Sequence, residues 1–176
     1  MPMIDLTYPE GALEAEARAE AVEKLTAALL RNEGATDNEQ TRAMSWTVVH
    51  ELPAHALNVG GAPAERPVYR IAITVPAGTL LQGPGPVGAQ SRRSLVREAT
   101  EIVLAAEGTE YSDVEAGRVY CIVREVSDGY WGGLGTTFRM EDIVATATPE
   151  APQTPVSERA RAAIGELVAE RGRAVA

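Results

Sequence analysis

The chain is poor in the residues that build disulfides and metal centres. Its 176 residues include one cysteine, Cys121, and two histidines, His50 and His55. A single cysteine excludes a disulfide within the chain, and no group of histidine, cysteine and aspartate has the spacing of a metal site. We therefore predict a protein without a metal or another cofactor, and we interpret Cys121 as an inert thiol in a strand.

Basic residues are also scarce. Lysine and arginine number 16 against 25 aspartates and glutamates, which gives a formal net charge of −9. Nucleic-acid binding needs a basic surface, so this balance argues against DNA or RNA as a partner. No apolar run is long enough to span a membrane, and the first residues lack the basic and apolar stretches of a signal peptide. We expect a cytoplasmic protein with no membrane partner.

What the chain does contain is an internal repeat. Residues 3–11 (MIDLTYPEG) are matched by residues 70–78 (RIAITVPAG), with Pro9 and Pro76 67 residues apart. Such self-similarity is the mark of a repeated structural unit.

Two later matches support the same duplication. Residues 29–34 match 103–108 and residues 49–52 match 123–126, both with an offset of 74. A single seven-residue insertion at residues 83–89, rich in glycine and proline, reconciles all three matches and is predicted to be a loop.

Each copy is predicted to form a strand, a helix and a second strand. The helices carry apolar residues at three- and four-residue spacing. We expect Ser91 to be the N-cap of the second helix, and Gly34 and Gly108 to end the two helices in the left-handed conformation. Residues 45–52 and 118–126, rich in valine, isoleucine, tryptophan and tyrosine, are the predicted closing strands.

Two such units predict an α+β domain. A strand, a long helix and a strand form a right-handed crossover between parallel strands. Two copies then give a four-stranded sheet with two helices, most simply on one face. The other face, expected to be rich in valine and isoleucine, would need cover from self-association. Glycine-rich residues 58–61 and 132–135 are predicted to form short hairpins beside the closing strands.

The duplicated domain is predicted to span residues 2–146, with repeat one at 2–62 and repeat two at 68–146. Residues 147–176 are assigned to a proline-rich, stiff linker and a C-terminal helical tail, with Ser157 as the N-cap of that helix.

The residues around the repeat resemble a known family. A proline follows the initiator methionine, and each duplicated unit runs strand, Pro-x-Gly, helix, then a glutamate-containing strand that enters a Gly-Gly hairpin. This pattern resembles the tautomerase superfamily, in particular 4-oxalocrotonate tautomerase and its fused, double-length relatives, over residues 2–146. The resemblance implies a β-α-β fold, a homotrimer of fused units, and catalysis by the free amino group of the proline, here Pro2.

The chemistry explains why a terminal proline is useful. Removal of Met1 would leave Pro2 with a secondary amine. An α-amino group titrates near ~8, and an apolar site with arginines nearby disfavours the protonated form. A group that titrates near neutrality suits removal of a proton beside a carbonyl and its return at another carbon. The resemblance implies keto–enol tautomerisation of a small carbonyl acid, a 2-oxo acid or its enol, with Pro2 as general base.

Both arginines with which the family binds a carboxylate are missing from their places. The position after the first turn holds Ala12 in copy one and Thr79 in copy two. The position in the closing strand holds Trp46 in copy one and Tyr120 in copy two. This argues against the dicarboxylate substrate of 4-oxalocrotonate tautomerase.

Other residues are candidates for substrate binding. The family's pocket aromatic corresponds to Leu57 in copy one and to Trp131 in copy two, so Trp131 is a predicted pocket wall, with a hairpin core residue as the alternative. Arg70 and Arg118 lie on or beside strands of copy two and are predicted to hold a carboxylate or polarise a carbonyl across a subunit boundary. The alternative for these arginines is an ordinary salt bridge with Glu125, Glu141 or Asp142.

The two copies have diverged at the key position. Tyr69 stands in copy two where Pro2 stands in copy one and has no free amine, so we expect at most one active site per chain. We interpret His50 as a hydrogen-bonded strand residue rather than a general acid. Two further functions stay open: a non-catalytic oligomeric binding protein of the same fold, and a dehalogenase or decarboxylase that uses protonated Pro2.

Overall fold

The computed structural model describes residues 2–81 and 87–175. Its strands are β1 (Met3–Pro9), β2 (Trp46–Leu52), β3 (Asn58–Val59), β4 (Ala62–Pro63), β5 (Tyr69–Pro76), β6 (Val119–Val126), β7 (Trp131–Gly133) and β8 (Thr136–Phe138). Its α-helices are α1 (Ala15–Glu33), α2 (Glu39–Ala43), α3 (Val87–Ala106), α4 (Asp113–Ala116), α5 (Met140–Ala147) and α6 (Pro155–Val175). The order strand, long helix, short helix, strand, hairpin therefore occurs twice, and α5 and α6 follow.

The sheet joins the two copies side by side. Its four strands run in the order β2-β1-β5-β6. The strands of each copy are parallel, as the helical crossover requires. The two copies meet through the antiparallel pair β1 and β5, in which Met3 lies opposite Thr74 and Thr7 opposite Arg70. The predicted four-stranded α+β fold is confirmed.

Helices α1 and α3 pack against each other and cover one face of the sheet. The main core lies between these layers and includes Ile4, Leu6, Leu25, Leu29, Ile71, Ile73, Leu95 and Val103. Full burial of one such side chain contributes about 1.5–3 kcal/mol, so this layer supplies most of the driving force for folding.

The predicted helix ends are confirmed. Gly34 and Gly108 have φ angles of 71° and 81°. The Gly34 amide donates to the Arg31 carbonyl, and the Ala35 amide donates to the Leu30 carbonyl at 3.0 Å. These bonds satisfy carbonyls that have no partner within the helix, and the positive φ favours glycine.

The start of α3 was predicted wrongly. The helix begins at Val87, so Ser91 lies inside it and is not its N-cap. Residues 83–86 of the predicted loop lie outside the described residues, whereas residues 87–89 form the first turn of α3. The last proline of this segment is Pro86, and no later residue opposes helix formation as proline does.

The other face of the sheet is open and mixed in polarity. It carries Met3, Asp5, Thr7, Val48, His50, Arg70, Ala72, Thr74, Tyr120, Ile122 and Arg124. The expectation of a face rich in valine and isoleucine was wrong, because the alternation of the strands turns most of these residues into the helix-covered core. His50 Nε2 lies 2.7 Å from Asp5 Oδ1, as expected for a hydrogen-bonded strand residue.

Both predicted hairpins are present. β3 pairs with β4, and β7 pairs with β8. The second hairpin turns at Leu134, with φ of 52°, and Gly135, with φ of 71°. A leucine in the left-handed region is strained, so the tight turn holds a conformation that favours glycine.

The C-terminal helix docks on the domain. Its N-cap is Thr154 rather than Ser157: the Ser157 amide donates to Thr154 Oγ1 at 3.0 Å, and the Thr154 amide donates to Ser157 Oγ at 2.8 Å. This reciprocal pair is a capping box that places Ser157 one turn inside the helix. α6 packs on α2 and α5, and Ala160 joins Phe138 in a second, small core. None of the described helices has the length and apolarity needed to cross a membrane.

Candidate active site

Pro2 is held at the edge of the sheet where β1 and β2 begin. It is buried, and the Trp46 amide donates to its carbonyl at 3.1 Å. Because β1 and β2 are parallel, their first residues lie side by side at this edge. Pro2 lines a cavity on each of two sides.

The first cavity, here called the apolar cavity, has a volume of about 500 Å³. It is built mainly from four parts of the chain: the residues at the start of β1, the junction of α2 and β2, the second hairpin and the C-terminal helix. Its lining includes Pro2, Trp46, Trp131, Phe138, Ile164 and Leu167. Within the described part of the chain, no residue that lines it carries a charged side chain. Such an environment penalises an ammonium ion and favours a neutral amine.

The second cavity, here called the carboxyl cavity, has a volume of about 270 Å³. It is lined by Pro2, Glu33, Thr41, Met44, Thr79 and Met140, among others. Glu33 is the last residue of α1 and is only 8% exposed. Burial raises the pKa of the Glu33 carboxyl above its usual range, and the nearby Thr79 hydroxyl opposes this shift only in part. A carboxylate at a helix C-terminus is also disfavoured by the helix dipole.

The matching place in copy two is filled by an ion-pair network. Arg118 donates to Glu107 Oε2 at 2.5 Å and to Glu115 Oε2 at 2.7 Å. Burial alone would raise the pKa of Glu107, but hydrogen bonds from Arg118 and Thr109 outweigh it and hold that pKa below its usual range. Burial, with Glu107 beside it, raises the pKa of Tyr69. This end of the sheet holds paired charges and no free amine.

The structure brings together two of the four predicted site residues. Pro2 and Trp131 line the apolar cavity of the same chain. Arg118 lies beside Tyr69 at the opposite end of the sheet, and its partners are Glu107 and Glu115 instead of the glutamates and aspartate named as alternatives. Arg70 is exposed on the open face, also at that far end. Within one chain, neither arginine lines a cavity that contains Pro2.

Two of the four positions that correspond to family arginines, Trp46 and Thr79, line a cavity that contains Pro2. Trp46 lines the apolar cavity, and its side chain is largely accessible, with the residue 67% exposed. Thr79 lines the carboxyl cavity. The positions that would hold a carboxylate in the family thus carry an indole and a hydroxyl here. A substrate with two carboxylates would find no cation at either of them.

Sequence reasoning missed Glu33 and Met44. Their signal lies in the repeat, since the offset of 74 aligns Glu33 with Glu107 and Met44 with Arg118. Copy one has therefore kept the carboxyl and has a thioether where copy two has its cation. The contribution of α6 to the apolar cavity was also missed, because a thinly apolar helix after a linker gives no indication of where it docks.

One other side chain, that of Cys121, is inert because of its surroundings. Burial raises the pKa of the Cys121 thiol to about 11, so its thiolate is scarce at neutral pH. Across residues 2–81 and 87–175, no cluster of three or more histidines, cysteines, aspartates or glutamates has the arrangement to hold a metal ion.

Comparison with known proteins gives matches in structure alone. No protein-family model matches the chain, and no curated protein matches it. A member of the cis-3-chloroacrylic acid dehalogenase family, N1, superposes with a TM-score of 0.65 at 17% identity, covering 93% of this chain and 99% of its own. A fused 4-OT, solved as a wild-type symmetric trimer, superposes with a TM-score of 0.58 at 15% identity, covering 76% of this chain and 93% of its own.

The chain has a tautomerase-like fold, with two β-α-β units in one chain as in the fused 4-OT. Pt0534, whose crystal structure was determined after inactivation by 2-oxo-3-pentynoate, also superposes, with a TM-score of 0.60 at 16% identity, covering 80% of this chain and 98% of its own. The tautomerase-like architecture inferred from the repeat is thus confirmed at the level of fold.

Proposed function

We propose that the chain is a tautomerase-type enzyme, an isomerase in which the amino group of Pro2, freed by removal of Met1, moves a proton on a small 2-oxo or enol carboxylic acid. One observation carries this proposal. Pro2 is buried between the apolar cavity, which also contains Trp131, and the carboxyl cavity. A buried terminal amine with reaction space on both sides is suited to proton transfer and has no obvious structural purpose.

The proposed reaction begins with a neutral amine. The Pro2 nitrogen takes a proton from the carbon beside the carbonyl, the C–H electrons form the carbon–carbon double bond, and the carbonyl electrons move to oxygen. The ammonium then returns the proton to the enolate oxygen, which gives the enol, or, where the enolate is conjugated with a second double bond, to the far carbon of that system. Trp131 and the rest of the apolar cavity favour the neutral amine at the start because they exclude water from the ammonium.

The carboxylate of the substrate needs a cation that one chain does not place at Pro2. We propose that a neighbouring subunit supplies Arg70 or Arg118. Arg70 is the better candidate: it is exposed, and no described residue forms a salt bridge with it. Arg118 is already held by two glutamates, and its side chain is 10% exposed. An arginine that is free to rotate can form the bidentate contact that a carboxylate prefers.

Assembly into a homotrimer is part of the proposal. The open sheet face exposes Tyr120 and Ile122, at 75% and 39%. Closed symmetry is the usual way to cover such a surface, and the fused 4-OT that superposes on this chain was solved as a trimer. Sedimentation equilibrium tests this directly. A stable monomer would remove the shared site.

An alkynone probe tests the role of Pro2. The structurally similar Pt0534 was inactivated by 2-oxo-3-pentynoate. We expect the same reagent to label this chain once, through conjugate addition of the Pro2 nitrogen to the alkyne, with loss of activity and an adduct on the N-terminal peptide. A 2-oxo acid should protect against labelling. An adduct on Cys121, or no adduct at all, would contradict the proposal.

A second function is favoured by one comparison. The match with the cis-3-chloroacrylic acid dehalogenase family member covers 93% of this chain and so reaches into the C-terminal tail. A dehalogenase or decarboxylase would use Pro2 as an acid and needs its amine protonated at neutral pH. The pKa of the Pro2 amine therefore separates the two functions: a value below ~8 supports the tautomerase, and a higher value supports the alternative.

A further inference from the structure

We infer that Glu33 is the acid partner of Pro2: its protonated carboxyl donates a proton to the substrate's carbonyl oxygen while the Pro2 amine removes the proton from carbon. This inference rests on the proposed function and adds a second catalytic residue to it. Keto–enol conversion needs a proton at oxygen as well as a base at carbon. The two arginine positions of the family hold Thr79 and Trp46 here, so the polarising group must come from another residue.

The geometry sets Glu33 apart from other acidic residues. It is the last residue of α1, it is buried, and its side chain lines the carboxyl cavity together with Pro2. The elements packed around it present Thr41 from α2, Thr79 from the turn after β5, and Met140 from α5. Among the described residues that line this cavity, Glu33 is the one with an ionisable side chain. None of the described residues that line this cavity is an arginine, lysine or histidine, and the positive charge that acts on Glu33 is that of the N-terminal amino group.

The second copy shows what the same position looks like when it serves structure. Glu107, the counterpart of Glu33, is held by Arg118 and Thr109. The counterpart of Arg118 is Met44, which lines both cavities beside Pro2. A buried carboxyl without an arginine or lysine beside it is costly to keep, so its presence at a cavity with the terminal amine points to function.

The surroundings also set the protonation state. Burial raises the pKa of Glu33, so the carboxyl stays protonated further toward neutral pH than an exposed glutamate. A protonated carboxyl is a hydrogen-bond donor, whereas a carboxylate can only accept. The low-dielectric surroundings thus favour the uncharged form of both groups, the amine of Pro2 and the acid of Glu33.

The proton balance of the step is closed. The α-carbon loses a proton to the Pro2 nitrogen, the C–H pair becomes the new double bond, and the carbonyl oxygen takes the Glu33 proton. Once the enol has formed, the Pro2 ammonium returns its proton to the Glu33 carboxylate in the same cavity, which restores both residues as the enol leaves. Neither residue is changed at the end, and no other reactant is needed.

Glu33→Gln tests the inference, with Glu107→Gln as its matched control in copy two. Glutamine keeps the size of the side chain and can donate a hydrogen bond but cannot transfer a proton. We expect E33Q to lower kcat about 10²-fold for the conversion of a 2-oxo acid to its enol. It should also remove the alkaline limb of the kcat–pH curve and leave the acidic limb in place. E107Q should lower the Tm and keep both limbs.

The outcomes separate this inference from the proposed function. Loss of activity in Pro2→Ala together with an unchanged kcat and alkaline limb in E33Q would overturn the role of Glu33 alone. Full activity in Pro2→Ala would overturn the proposed function itself. If E33Q does not fold, the second measurement is an infrared difference spectrum between wild type and the Glu33→Asp variant. The wild type should show the carbonyl stretch of a protonated carboxylic acid at pH 7, shifted in the aspartate variant; absence of that band would overturn the inference.

Discussion

The two ends of the sheet carry the same backbone arrangement and opposite chemistry. At one end, Pro2, Glu33 and Met44 surround open cavities. At the other end, their counterparts Tyr69, Glu107 and Arg118 form a buried, charge-paired cluster. The duplication thus provides an internal control. The same fold has one end with paired charges, which stabilise the folded protein, and one end with open cavities and a buried carboxyl, which do not.

The difference lies mainly in one cation. Arg118 neutralises Glu107 and Glu115, whereas Glu33 has Met44 at the position that corresponds to Arg118. A charge-paired carboxyl is fixed in its ionised form, and a carboxyl in an apolar cavity is shifted toward its neutral form. Substitution of one arginine position is therefore enough to change a structural carboxyl into one that can take part in proton transfer.

The largest expected effect is on catalysis at the Pro2 end. Pro2→Ala replaces the secondary amine by a primary amine that lacks the ring, and we expect kcat/KM for a 2-oxo acid to fall by about 10²-fold or more. The copy-two control is Tyr69→Phe, which removes a buried hydroxyl that has no hydrogen-bond partner within the described residues. Steady-state kinetics of both variants should show a lower kcat/KM in P2A and an unchanged kcat/KM in the tyrosine variant. Full kcat/KM in P2A would place the base elsewhere.

The next effect is on stability at the Arg118 end. Arg118→Met makes copy two resemble copy one and leaves Glu107 without its cation, at a cost of about 2–3 kcal/mol in the free energy of unfolding. Denaturant titration at pH 7 measures this loss. Lys24→Met, in an exposed pair with Glu20, is the control and should show no measurable change.

The pH dependence of the R118M effect has a defined sign. The pKa of Glu107 is held below its usual value of 4.5 in the folded protein. The stabilisation is therefore present above pH 4.5 and is lost as the pH falls through the folded-state pKa. The difference in the free energy of unfolding between wild type and R118M should therefore become smaller as the pH falls. A difference that stays constant down to low pH would contradict the ion-pair explanation.

A smaller effect is expected from the wall of the apolar cavity. Trp131→Ala admits water beside the Pro2 amine, which raises the pKa of that amine toward ~8. The acidic limb of the kcat/KM–pH curve should move to higher pH, and KM should rise about tenfold, equivalent to about 1.4 kcal/mol. Leu57→Ala, at the matching position of copy one, should leave both unchanged. Should W131A leave the acidic limb and KM unaltered, Trp131 is a hairpin core residue.

The smallest expected effect is on the stability of the Glu33 variant. Because its folded-state pKa is raised, Glu33 favours the folded protein fully below its usual value of 4.5, and this contribution is lost as the pH rises through the folded-state pKa. E33Q should therefore gain stability relative to wild type as the pH rises from 4.5 toward neutrality. Thermal unfolding over this range measures the trend. A loss of E33Q stability relative to wild type as the pH rises would mean that Glu33 is ionised and paired.

The sequence was informative wherever a pattern was repeated. The two offsets predicted the sheet, the two helices, the glycine helix ends and both hairpins, since alternation and glycine positions depend on local geometry. Ser91 and Ser157 were each assigned as N-caps about one turn too late, because a serine in the first turn resembles a cap when the true start is not known. The helical start of residues 87–89 was hidden by the prolines before them.

The candidate site was predictable only in part. Pro2 and Trp131 could be named from position and resemblance, and the structure places them on one cavity. Their catalytic roles stay predictions. Arg70 and Arg118 could be named as arginines on strands, but which end of the sheet they occupy depends on the antiparallel pairing of the two copies. Glu33 was missed because an acidic residue at a helix end is usually exposed, and only packing shows that this one is buried.

A direct titration of the Pro2 amine tests the central claim most closely. The purified chain is first weighed by intact mass spectrometry to establish that Met1 is absent, and the proline nitrogen is then followed by NMR in protein labelled with ¹⁵N-proline across the pH range. We predict loss of Met1 and a pKa below the usual α-amino value of ~8, as a neutral base in an apolar cavity requires. Retention of Met1, or a pKa at or above ~8, would contradict the assignment of Pro2 as the general base.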